Sequence, residues 1–176
     1  MKPYLTEGEY KKLLESLVIL STTNEQKNQH ILSQLDKLGF AHEDRALKTG
    51  DYCFYLKANK WFPVDTYFVD ELAIERKNSV DELASCMKDI AFHNEVRRLG
   101  KIKNAYILVE DNSLNDIIEG NYRAQYNSKA FFRTLLTWCS EYNVKLLFVN
   151  KENMGKVISE ICLSVLNQQI FRLNKV

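Results

Sequence analysis

Two stretches in the second half of the chain are apolar almost from end to end: NAYILVE over residues 104–110 and VKLLFVN over residues 144–150. A strand wetted on one side alternates apolar and polar residues, so runs like these need cover on both faces. Helical patterns sit between and after them: NSLNDIIEGN, NSKAFFRTLLTWCSEYN and MGKVISEICLSVLNQQIFRL. Earlier in the chain, Leu17–Leu20, DYCFYLKA and ELAIERK read as further strands. The expected class is therefore α/β, with a mixed central sheet flanked by helices on both faces. A length of 176 residues, 45% of them hydrophobic, suits one core, and a single unit over residues 1–176 is expected.

The stretch with the most chemistry is residues 71–85, ELAIERKNSVDELAS. It reads as an apolar strand ending in Glu75-Arg76-Lys77, then a helix opened by Ser79 and Asp81. Side chains two apart on a strand share a face, so Glu75 and Lys77 project together while Arg76 projects to the other side. A carboxylate beside an ammonium suits phosphodiester hydrolysis. The acid can hold a divalent cation, and the amine can orient water and offset developing charge. A second acid is needed. Upstream, Thr49-Gly50-Asp51-Tyr52 gives a tight turn with Asp51 opening the strand DYCFYLKA; if that strand pairs with the one carrying Glu75, the two acids meet. Charged residues often close strands, so Glu-x-Lys alone specifies little. Gly-Asp before one strand, Ile-Glu-Arg-Lys closing the next and Asp81 after three more residues form a much rarer set.

That set resembles the nuclease domain of the XPF family of structure-specific endonucleases, a branch of the PD-(D/E)XK superfamily. Gly50, Asp51, Glu75, Arg76, Lys77 and Asp81 match its signature. The similarity runs from about Val18 to about Leu166, and its downstream part resembles compact members from phages and bacteria. The resemblance implies a restriction-endonuclease-like fold and a Mg²⁺- or Mn²⁺-dependent endonuclease acting on branched DNA (flaps, forks or junctions) in repair or recombination. It also implies Asp51, Glu75 and the Arg76 backbone carbonyl as metal ligands, with Lys77 orienting the attacking water. Arg76 would brace the site or meet phosphate, and Asp81 would support Lys77 or Arg76 from across a short connection. One departure stands out. Relatives read Asp-Thr-Arg-Glu-Gln after the first strand, whereas this chain reads Thr22-Thr23-Asn24-Glu25-Gln26, so an acid and an Arg are replaced. A catalytically weakened DNA-binding or dimer-partner subunit is the alternative that this departure raises.

A net charge of +1 announces no polyanion partner, so any DNA surface must be local. Arg97, Arg98, Lys101 and Lys103 form the expected cluster, at the end of a helix predicted to run unbroken through LASCMKDIAFHNEVRRLG with Leu83, Met87, Ile90 and Ala91 buried. The four cysteines, Cys53, Cys86, Cys139 and Cys162, are widely spaced and lie in apolar segments. They read as reduced core residues of a cytoplasmic protein. No stretch reads as a signal or membrane span. His30 and His42 read as packing or surface residues, and His93, beside the basic cluster, as a DNA contact or a packed ring. Thr6 is expected to cap a first helix, and Gly39 to stop a second begun after Ser21. The broad apolar arc of the last helix suggests a homodimer formed through helices.

Overall fold

The computed structural model describes residues 5–23 and 27–173, with side chains as far as residue 171. The elements in order are α1 (Glu7–Leu14), β1 (Leu17–Ser21), α2 (Gln29–Leu38), β2 (Ala41–Asp44), β3 (Tyr52–Leu56), β4 (Thr66–Tyr67) and β5 (Leu72–Lys77). There follow α3 (Val80–Cys86), α4 (Ile90–Leu99), β6 (Asn104–Glu110), α5 (Leu114–Glu119), α6 (Ser128–Glu141), β7 (Val144–Val149) and, after one 3-10 turn, α7 (Met154–Leu173).

The seven strands form one mixed sheet in the order β2-β1-β3-β5-β6-β7, with β4 paired to β3. β3 runs antiparallel to both β1 and β5, whereas β5, β6 and β7 are parallel. Burial follows strand alternation. Leu72 and Ile74 of β5 join Leu108 of β6 on the face covered by α1, α2 and α7. Ala73 of β5 and Ala105, Ile107 and Val109 of β6 meet α3 to α6 on the other face. β1, β3 and β5 are buried along their whole lengths, as runs apolar on both faces require. None of the described helices is long and apolar enough to cross a membrane.

Local chemistry sets several boundaries. Thr6 and Glu9 make a reciprocal capping box at α1. α2 starts only at Gln29, later than the sequence suggests, and ends at Gly39 in the left-handed region. The predicted unbroken helix after Lys77 is two helices. Asp89 breaks it, accepting a hydrogen bond from the Ala91 N–H at 2.8 Å and so capping a new helix. The break corrects the expected stripe: Leu83 and Met87 are buried, but Ile90 is 71% exposed and Ala91 lies open, while Phe92, Val96 and Leu99 face the core. β7 corrects another expectation. It is the edge strand, so Leu147 is 38% exposed. In α6, Phe131, Leu135 and Trp138 are buried, whereas Leu136 points outward. Cys53 and Cys162 are buried and Cys86 and Cys139 half-buried; all four are free thiols.

Candidate active site

Tyr52 of β3 stands opposite Ile74 of β5, and that antiparallel register brings the Gly50-Asp51 turn against the end of the β5 strand. Gly50 has φ +72°, and a Cβ there would lie 3.0 Å from the Ile74 carbonyl oxygen, so the turn accepts no other residue without strain. Asp51 is held from both sides. Its N–H donates to the Ile74 carbonyl at 2.7 Å, and its own carbonyl accepts the Thr22 N–H at 2.7 Å. The Asp51 carboxylate Oδ2 accepts the Arg76 N–H at 2.8 Å. The acid is thereby aimed along the end of β5, next to Glu75.

Glu75 and Lys77 share the α3–α4 face, as their spacing predicts. Lys77 Nζ donates to Glu75 Oε1 at 2.8 Å, lies 3.7 Å from Glu82 and sits 4.5 Å from the centre of the Phe92 ring. Both members of the pair are 8% exposed. Burial raises the Glu75 pKa; Lys77 pulls it down, and the negative charges of Glu95 and Glu82 push it up again. For Lys77, burial works against the charged form, but Glu75 more than offsets it through charge and hydrogen bond, so its pKa is raised. Lys77 thus remains an ammonium, suited to orienting water and balancing charge rather than to abstracting a proton.

Arg76 projects to the opposite face, where its guanidinium makes a two-pronged pair with Glu110 at 2.9 and 2.8 Å. His30 of α2 meets the same carboxylate at 2.7 Å. Arg76 and Glu110 are both buried, so the Arg76 side chain braces β5 against β6 and α2 and is turned away from the cleft. His93 is likewise occupied in packing, bonded to the Met87 carbonyl and set edge-on to Trp138.

The cleft encloses about 450 Å³ and is lined by Asp51, Glu75, Lys77, Thr22, Glu95 and Arg98, among others. Asp81 lies elsewhere in the hydrogen-bond network. Its carboxylate accepts from the Arg123 backbone N–H at 2.5 Å and from Arg123 Nε at 3.0 Å, which lowers its pKa and ties α3 to the segment before α6. The place near Lys77 expected of Asp81 is taken by Glu82. The Ser79 hydroxyl accepts the Glu82 N–H at 3.1 Å, and the Glu82 carboxylate accepts the Asn78 N–H at 2.9 Å. Of the four predicted cations, Arg98 lines the cleft, paired with Glu95. Lys103 lies 3.5 Å from Glu71, before the first residues of the parallel strands and far from their Lys77 ends. Arg97 and Lys101 are exposed.

Sequence reading passed over Glu95 and Lys48. Glu95 Oε1 accepts the Gly50 N–H at 2.9 Å, supporting the turn that holds Asp51. Its only sequence signal is Arg98 three positions on, one helical turn away. Lys48 stands two residues before Gly50 and lines the cleft. Thr22 is buried at the cleft wall. Asn24, Glu25 and Gln26 lie outside the described residues. The donors that meet at the cleft are hard carboxylate oxygens, the type that Mg²⁺ and Mn²⁺ take. Burial, with a smaller push from Glu95 and Glu82, raises the Glu75 pKa against the pull of Lys77, and a cation held beside the carboxylate would favour its charged form.

The ERCC4 domain family model matches residues 22–159 of this chain. No curated protein matches it. Among solved structures, XPF from Aeropyrum pernix aligns with a TM-score of 0.63 at 19% identity, covering 88% of this chain and 68% of that one. XPF from Aeropyrum pernix in complex with DNA aligns with a TM-score of 0.63 at 18% identity, covering 86% and 66%. At these identities the likeness is one of fold.

Proposed function

The chain belongs to the ERCC4 domain family and has the fold of an XPF-type nuclease domain, and on that footing we propose that it is a metal-dependent DNA endonuclease. The observation that carries this reading is the convergence of Asp51, Glu75 and Lys77 on one cleft from two antiparallel strands. In this reading Asp51 and Glu75, with the Arg76 backbone carbonyl, hold Mg²⁺ or Mn²⁺. Bound there, the cation supplies Lewis-acid polarisation of the phosphoryl group and lowers the pKa of a water.

The chain's own residues do the rest. The Arg76 N–H fixes the rotation of the Asp51 carboxylate, and Lys77 fixes that of Glu75. The Lys77 ammonium, seated against the Phe92 ring, orients the attacking water and balances the charge that grows on the phosphoryl oxygens. Arg98 and Lys48 at the cleft wall suit phosphate contact, with Arg97 and Lys101 further out. Asp81 acts at a distance by anchoring the segment at Arg123. Branched DNA in repair or recombination is the proposed substrate, by family likeness, and a cytoplasmic, intracellular location is proposed with it. The chain works as one unit over residues 1–176, and α7 and the exposed side of β7 supply the contact of a proposed homodimer.

Thr22 in place of an acid favours a second reading, a DNA-binding or dimer-partner subunit with weakened catalysis. Labelled flap, fork and linear duplex DNAs incubated with Mg²⁺, Mn²⁺ or EDTA separate the two. Metal-dependent cuts support the nuclease, and binding without cuts supports the weakened subunit. Asp51→Ala, Glu75→Ala and Lys77→Ala should each slow cleavage by about 10²- to 10³-fold while the protein stays folded by circular dichroism. Cleavage by Lys77→Ala at the wild-type rate removes the role given to that ammonium.

A further inference from the structure

Next to the cleft lies a second cavity of about 500 Å³, within the range of about 300–1,000 Å³ usual for small-molecule sites. The two share Leu47, Lys48 and Thr49 in their linings, so they adjoin along that segment. Cys53, Val69, Leu72 and Ile102 give the second cavity an apolar lining. Burial pushes the Cys53 thiol up to about 12, so this floor stays uncharged.

At the rim stands a flat cationic platform. The Arg45 guanidinium carbon is 4.3 Å from the centre of the Tyr67 ring, Arg45 Nη1 donates to the Tyr67 hydroxyl at 2.6 Å, and Tyr67 is itself stacked on Tyr55 at 4.8 Å. Glu43 stands 3.9 Å from Arg45, too far for a hydrogen bond, so the hydroxyl and the ring fix the guanidinium plane. Arg45 is exposed and Tyr67 is 37% exposed. Asp70 offers an acceptor within the cavity.

We propose that this cavity receives the base of an unpaired nucleotide whose neighbouring phosphodiester lies in the cleft. The proposal rests on the nuclease reading and adds to it a physical reason for choosing branched DNA. Every nucleobase has a flat face that stacks on an aromatic ring or a guanidinium plane, so the Tyr67–Arg45 platform accepts any base. Arg45 and Lys48 flank the entry with the charge that the adjoining phosphates require. The Asp70 carboxylate can accept from an exocyclic amine, which all bases but thymine carry in DNA. A base already unpaired enters without breaking a pair or a stack, whereas a base in a duplex must first be extruded. Occupancy therefore favours flaps and forks over linear duplex.

The test uses the full chain in EDTA, so that binding is read without cleavage. The probes are a forked DNA with 2-aminopurine at the first unpaired position and a fully paired duplex of the same sequence. Wild-type protein should bind both and quench the fork's 2-aminopurine as the base stacks. The double change Arg45→Ala/Tyr67→Ala removes the platform and Val69→Trp fills the cavity. Each should weaken fork binding about tenfold, the size expected for loss of one stacked base, and change duplex binding by less than about twofold. Circular dichroism melting checks that both variants are folded. Equal losses on fork and duplex, unchanged fork affinity in the folded variants, or an unchanged 2-aminopurine signal in wild type overturns the subsite and leaves the nuclease reading standing. Binding of neither DNA by wild type overturns the subsite, and the nuclease reading then stands or falls by the metal-dependent cleavage assay.

Discussion

At the residue scale, the state of Glu75 governs what the cleft can hold. In its proposed role as a metal ligand the carboxylate must be ionised, so cation affinity should fall as pH falls through the Glu75 pKa. Burial sets that pKa above the ordinary carboxylate value and Lys77 restrains the rise, so loss of binding should begin at a higher pH than for an exposed Glu. Lys77→Met removes the restraint and should move the acid limb upward. Calorimetric titration of Mn²⁺ into wild type and Lys77→Met over a series of pH values measures both midpoints, and coincident midpoints contradict the coupling. Arg76 makes a different demand. Its pair with Glu110 is buried, and deleting one member of such a pair typically costs about 3–5 kcal/mol because the other charge is left uncompensated. Arg76→Met should lose stability on that scale in urea unfolding, whereas Arg97→Met, at an exposed position, should stay within about 0.5 kcal/mol of wild type.

At the scale of elements, the site is a junction between two strands and a helix. The turn before β3 is pinned three ways: by its register on β5, by the left-handed conformation of Gly50 and by Glu95 of α4. Gly50→Ala forces a side chain toward the Ile74 carbonyl, so the turn must shift or carry strain of about 1–3 kcal/mol. The expected outcome is a lower urea midpoint together with weaker Mn²⁺ binding, since Asp51 moves with the turn. Full Mn²⁺ affinity in a destabilised Gly50→Ala would mean that the carboxylate is placed independently of the turn. The break between α3 and α4 serves the same junction. Once Asp89 restarts the helix, Phe92, Glu95 and Arg98 line the cleft. Asp89 and Ala91, beside the break, line it too.

At the scale of the whole molecule, the sheet leaves one edge with apolar surface. Leu147 on β7 borders a groove of about 750 Å³ shared with Val157 and Ile161 of α7, and Phe171 near the end of α7 is 60% exposed. The proposed homodimer would cover this surface. Analytical ultracentrifugation at high micromolar concentration should show a dimer, and Leu147→Glu should return it to monomer; a monomeric wild type removes the proposal. The placing of chemistry in this protein divides by physical cause. Apolar runs and two-residue alternation are local properties, so the covered mixed sheet, the shared face of Glu75 and Lys77 and the opposite direction of Arg76 could be read directly. Long-range partners have no local signature. That Glu110 and His30 receive Arg76, that Glu95 supports Gly50, that Asp81 holds Arg123 instead of the Lys77 end of β5, and that β7 lies at an edge all depend on which elements become neighbours. Composition set the layers and spacing set the faces, whereas only the folded contacts chose the partner of each buried charge, because a charge removed from water must pair with whatever the packing brings within reach.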